Sequence, residues 1–255
     1  MLNTIRADFY RLFRSKAFYI TQLLLVILIV GTVASQKMAT IMEVSKDKAS
    51  LADANPAWTG VQSVLNLSSM ATFLVYFCLS LFVITIGYDL SRGMLKNMLT
   101  SGISRERFFI SKYIVFLLVT AFQFVLYYGT TFIVASLLHG VGKISLDFLK
   151  LFSGGVALQF LLLQATFAIG ICILYFTFAT VWPVLGVIAI PFAIGVASFT
   201  LPKVDWLYQF AFSNQVAYAM VPQPTTEVVK LVGSAVGVLV ILLGLAFYNF
   251  KKKEL

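Results

Sequence analysis

Asp89, Arg92, Gly93, Lys96, Ser104, Arg105 and Lys112 fall within one short basic stretch between two long apolar runs. Arg92 and Lys96 lie four residues apart and so share a helical face, and Arg105 follows a break at Ser101-Gly102. The chemistry such residues support is docking: a rigid, charged, helix-forming lever presented to a partner. Contact with phospholipid headgroups is the competing use of the same cations.

Other chemistry is hard to find. Gly142-Lys143 resembles the end of a phosphate-binding loop, but Leu137 stands where the first glycine belongs and Ile144 follows the lysine. The chain therefore binds no ATP in a P-loop. No His-Glu-x-x-His, Asp-rich metal loop or hydrolase elbow occurs. His139 makes no ligand spacing with Cys78 or Cys172; both cysteines lie in apolar runs and read as packing residues. The ten acidic residues fall in expected loops or at span ends, away from the mid-membrane depth where ion-coupled carriers keep ionisable groups. Neutral polar groups stand in the runs instead: Gln22, Gln123, Gln159, Gln164 and Thr166. Gln123, Gln159, Gln164 and Thr166 are candidates for a substrate pathway, with simple helix–helix hydrogen bonding as the alternative. The energy source points outward to a partner.

The elements that must position these residues follow from hydropathy. Of 255 residues, 60% are hydrophobic and 11% charged, and mean hydropathy is +0.94. A soluble domain carries about 25% charged residues. The expected fold is all-α and integral to the membrane, one permease domain over 1–255, with six transmembrane helices preceded by an N-terminal amphipathic interfacial helix. That helix occupies 1–16, with Leu2, Ile5, Phe9, Leu12 and Phe13 on one stripe, Arg11 and Arg14 away from it and Arg6 at its flank. Spans are expected at about 17–35, 69–88, 113–138, 151–176, 183–200 and 228–249. The segment 89–112 is a cytosolic coupling segment, and 201–227 lies on or dips into the outer interface. Val33-Ala34-Ser35 has the small residues of a signal-peptidase site, but the apolar run is too long for a signal peptide and reads as an uncleaved anchor.

Charge orients the bundle. Arg6, Arg11, Arg14, Lys16, the basic residues of 89–112 and Lys251–Lys253 make 12 of the 19 cations. By the positive-inside rule both termini and the central segment face the cytoplasm. Ala189, Ala193 and Ala197, and Gly233 with Gly237, form small-xxx-small ridges. Packing within the chain is the expected use; a dimer seam is the other.

The central segment resembles that of permease subunits of type-2 ABC exporters, in particular the small bacterial bacitracin-resistance and lantibiotic-immunity kind. Asp89, Gly93, Lys96, Leu99, Ser101-Gly102, Ser104-Arg105 and Lys112 carry the resemblance, with Met94 and Asp89 as departures where the family commonly has Thr and often Glu. It implies two separate P-loop ATPase subunits, with ATP and Mg held there and no cofactor on this chain. It also implies a second permease copy, identical or related, and no nucleic acid. The ATPases would meet the segment and the N-terminal helix. The resemblance further implies a bacterial plasma-membrane protein that exports an amphipathic or antimicrobial peptide or another hydrophobic substrate and is not an enzyme by itself. The rival readings are an ATPase-independent carrier, a membrane-embedded enzyme, or a sensor subunit.

Overall fold

A computed structural model describes residues 2–37, 58–91, 104–200 and 202–252. The first helix, α1 (Leu2–Arg14), turns at Ser15 into α2 (Lys16–Ser35). One long, uneven rod follows: α3 (Gly60–Ser68), a 3-10 turn at Ser69–Thr72, α4 (Phe73–Phe82), a π turn at Val83–Gly87 and the short α5 (Tyr88–Ser91). Then come α6 (Arg105–His139), α7 (Leu146–Thr177) and α8 (Val181–Thr200). A 3-10 stretch at Pro202–Phe210 leads to the short α9 (Phe212–Gln215), and α10 (Thr225–Lys252) closes the chain. Six of these segments are long and apolar enough to cross a membrane. The protein is an all-α membrane bundle preceded by an N-terminal helix.

Caps set the ends. Ser104 and Ser145 each accept a backbone N–H three residues on, starting α6 and α7. Phe178 adopts a left-handed φ of 54° and ends α7; Pro183 then sits in the first turn of α8. The expected tight turn between the fourth and fifth spans is therefore present.

Two expected boundaries move. The second span begins at Gly60 rather than near 69, because Val61, Ser63, Val64 and Leu67 are already buried there. Its first amides donate to carbonyls of the 139–143 turn, Gly60 N–H to Gly140 at 2.8 Å and Val61 N–H to Val141 at 3.0 Å, satisfying a helix start that would otherwise be orphaned. The third span begins at Arg105 rather than 113, so Arg105, Arg107 and Lys112 ride on a spanning helix.

The segment after α8 packs into the bundle along part of its length. Ala211, Phe212, Val216 and Ala217 are buried. Gln159 donates to Ser68 O (3.1 Å) and Val216 O (3.0 Å), and Tyr128 donates to Gln159. One amide thus ties α3, α6, α7 and the 216–218 turn together. Edge-to-face aromatic pairs join α6 to α7 through the core, Phe124 with Phe160 at 5.8 Å and Phe116 with Phe167 at 5.0 Å.

Small-residue ridges do not pack within the chain as expected. A Cβ on Gly233 or Gly237 would meet nothing within 4 Å, and Ala189 and Ala193 are exposed. Both faces are left open because α10 and α8 stand at the edge of the bundle.

Candidate functional site: a buried charge cluster

α1, α5 and the start of α6 meet at the end of the bundle that also holds the C-terminus of α10. Ile5, Phe9 and Leu12 of α1 pack with Phe18, Leu81, Ile84, Val115 and Val119. The apolar stripe of α1 therefore faces the bundle, and it carries Asp8 and Arg11 inward with it. This corrects the sequence-based placement of Arg11 away from the stripe: at three residues from Asp8, Arg11 shares its face. Arg6 and Arg14 stay exposed, and Arg14 donates to Tyr10 at 2.7 Å.

Four charges converge there. Lys112 Nζ lies 2.6 Å from Asp8 Oδ1 and also pairs with Asp89 Oδ2. Arg11 grips Asp89 with both guanidinium nitrogens, Nη2 at 3.0 Å from Oδ2, and reaches Asp8 at 3.5 Å. Lys112, Asp8 and Asp89 have side chains at most 4% exposed, while Arg11 is 37% exposed and is the cluster's contact with solvent. Two carboxylates and two cations leave no net charge, which is what allows such burial. Burial pushes the Asp8 carboxyl above its ordinary value, against the pull of Lys112. Burial acts the same way on Asp89, but Arg11 and Lys112 outweigh it and hold Asp89 below the usual range. The hydrogen bond to Asp89 raises Arg11 despite its burial. Oδ2 of Asp8 is buried and has no hydrogen-bond partner among the described residues.

Asp89 and Lys112, expected on a docking surface, are thus inside the protein. Ser104 is exposed at the α6 N-cap. Arg105 donates to Phe250 O (3.1 Å) and Lys251 O (2.9 Å), capping the end of α10, and Lys251 pairs with Glu106 at 3.3 Å. The first two turns of α6 therefore fasten α1, α5 and α10 at once. Arg92, Gly93 and Lys96 lie outside the described residues. Asp8 was missed in the sequence. Its signal was present: it is the sole acid before Glu43, in a helix otherwise suited to anionic headgroups.

The pathway candidates divide. Gln159 is used by the brace described above, and Thr166 donates to Leu162 O in its own helix. Gln123 and Gln164 are buried, at 0% and 3% exposure, and neither amide has a hydrogen-bond partner among the described residues. Gln123 adjoins Phe124, and Gln164 lies between Phe160 and Phe167, so the edge-to-face pairs place the two amides within about one turn of each other along the bundle.

Six helices long and apolar enough to cross a membrane, a buried charge cluster at one end and neutral amides in the interior define an integral membrane bundle. The family model described as ABC-2 family transporter protein matches residues 4–198, well over half of the chain, and takes in every member of the cluster. The chain belongs to that family and is a membrane-spanning permease, and membership implies an ATPase partner subunit. No curated protein matches the chain.

Proposed function

We propose that this permease is the transmembrane half of an exporter energised by two separate P-loop ATPase subunits, which carry the ATP and Mg. The observation that supports this reading most is the four-charge cluster. It joins α1, α5 and α6 into one body, beside the chain segment 92–103 whose basic sequence suits docking. A push on that segment would then move the second and third spans together, without a bend at their junction. Arg92, Gly93, Lys96 and Ser104 form the contact with the ATPase, while Asp89, Arg11 and Lys112 hold the lever to its spans.

In this reading both termini face the cytoplasm of a bacterial cell. A second permease copy seats on the open faces of α8 and α10, where Ala189, Ala193, Gly233 and Gly237 permit close approach. The substrate is an amphipathic or antimicrobial peptide or another hydrophobic molecule, and Gln123 and Gln164 supply its polar contacts inside the bundle.

The test is the double charge reversal R92E/K96E in lipid of matched composition. Substrate-stimulated ATP hydrolysis and co-purification of the ATPase should fall while the permease still inserts. Normal coupling and normal subunit retention would overturn the assignment and leave headgroup anchoring as the use of both residues. Permease purified free of contaminating ATPase should show no ATP hydrolysis.

A further inference from the structure

At the end of the bundle opposite α1, a groove of about 530 Å³ opens between α7, α10 and the 219–223 turn. Its walls are apolar and small: Gly154, Leu158 and Leu161 on α7 face Val228 and Val232 on α10. Lys150 stands at its rim. No salt bridge neutralises Lys150 among the described residues, whereas the nearby Lys230 is paired with Glu227 at 2.9 Å. Asp147, one turn earlier, is exposed and forms no ion pair with it.

The dimensions select an occupant. From Lys150 to Leu161 the α7 wall rises through eleven residues, about 16 Å at roughly 1.5 Å per residue. That is close to one leaflet's share of a hydrocarbon core about 30 Å thick. The groove also lies on the flank of α10, whose spanning window is only 11% buried, so the chain itself covers little of this helix. Water gains nothing in such a channel, and an acyl chain fits its length and polarity. The cation sits where that chain's headgroup would be.

We infer that this groove is a binding site for one anionic phospholipid, its phosphate held by Lys150 and one acyl chain laid along Gly154, Leu158 and Leu161. Glycine at 154 is what keeps the channel clear. A Cβ there would meet nothing within 4 Å, so that position faces the open groove, whereas a Cβ on Gly155 would strike Met220 at 2.4 Å. Gly154 can therefore be enlarged to fill the groove without disturbing the packing beneath it.

The experiment uses the full chain in mild detergent, stripped of lipid, then titrated with phosphatidylglycerol or phosphatidylcholine of identical chains. Native mass spectrometry reads the lipid retained. Phosphatidylglycerol should be held about fivefold more than phosphatidylcholine, the ratio expected for one basic residue acting on an anionic headgroup. K150A should erase that preference, lowering phosphatidylglycerol retention to that of phosphatidylcholine. G154L should lower retention of both lipids. K143A, at the same end but outside the groove lining, should match the wild type. A preference that survives K150A, or wild-type retention in G154L, would overturn the site.

Discussion

The charge cluster and the Gln123–Gln164 level are two buried polar regions of one bundle, and they are satisfied to very different degrees. At the cluster, two carboxylates and two cations from three helices answer one another, and a single Asp8 oxygen is left over. At the glutamine level, two primary amides stand between aromatic rings with no hydrogen-bond partner among the described residues. Gln159, a turn and a half from Gln164 on the same helix, shows that the fold can satisfy a buried amide completely when it needs a brace. The difference teaches where the molecule is fixed and where it has polar capacity in reserve. Removing one member of a paired set strands a charge, whereas removing an unpartnered amide removes a penalty.

The largest effect should come from K112M. It leaves Asp8 and Asp89 buried with only Arg11 between them, and the loss of stability should be about 3–5 kcal/mol. Thermal unfolding in detergent measures it, and a double-mutant cycle with D89N should recover part of the loss. A cost near zero would break the comparison, because the cluster would then not be holding the helices.

Next in size is Q159L, which deprives Tyr128, Ser68 and Val216 of their shared partner. A loss of roughly 1–3 kcal/mol is expected for a buried group left unsatisfied. Q123L/Q164L should act in the other direction: unfolding temperature unchanged or raised, with substrate transport reduced. Destabilisation comparable to that of Q159L would show that both amides already have partners in the working protein.

The smallest effect concerns acid. Asp8 is raised in the folded protein, so folding takes up its proton earlier than the unfolded chain does, and this favours the fold as pH falls toward the ordinary value near 3.8. Asp89 is lowered, so its stabilisation is present above the ordinary range and is lost as pH falls through it. The two oppose each other. D8N should therefore lack the gain that Asp8 gives the wild type as pH falls toward 3.8, read as melting temperature against pH. Identical slopes would mean that Asp8 titrates like an exposed carboxylate.

The sequence by itself determined the class. Uncharged runs of sufficient length must form helices in lipid, because hydrocarbon offers backbone groups no other partner, and their number and order could be counted from hydropathy. The break between the spans expected at 151–176 and 183–200 was legible for a local reason: Pro183 acts on its own backbone and suits the first turn of a new helix. Asp89 and Lys112 were singled out through resemblance as part of a docking segment, and the fold buries both. Which face of α1 points inward is a tertiary fact. Its apolar stripe suits a membrane interface as well as a protein groove, and only the presence of Leu81, Ile84, Val115 and Val119 decides between them. With that choice made, Asp8 and Arg11 turn toward residues 78 and 104 positions away in the chain. Hydropathy has no term for such a distance, because opposite charges attract through space, and only the folded chain brings these four within reach.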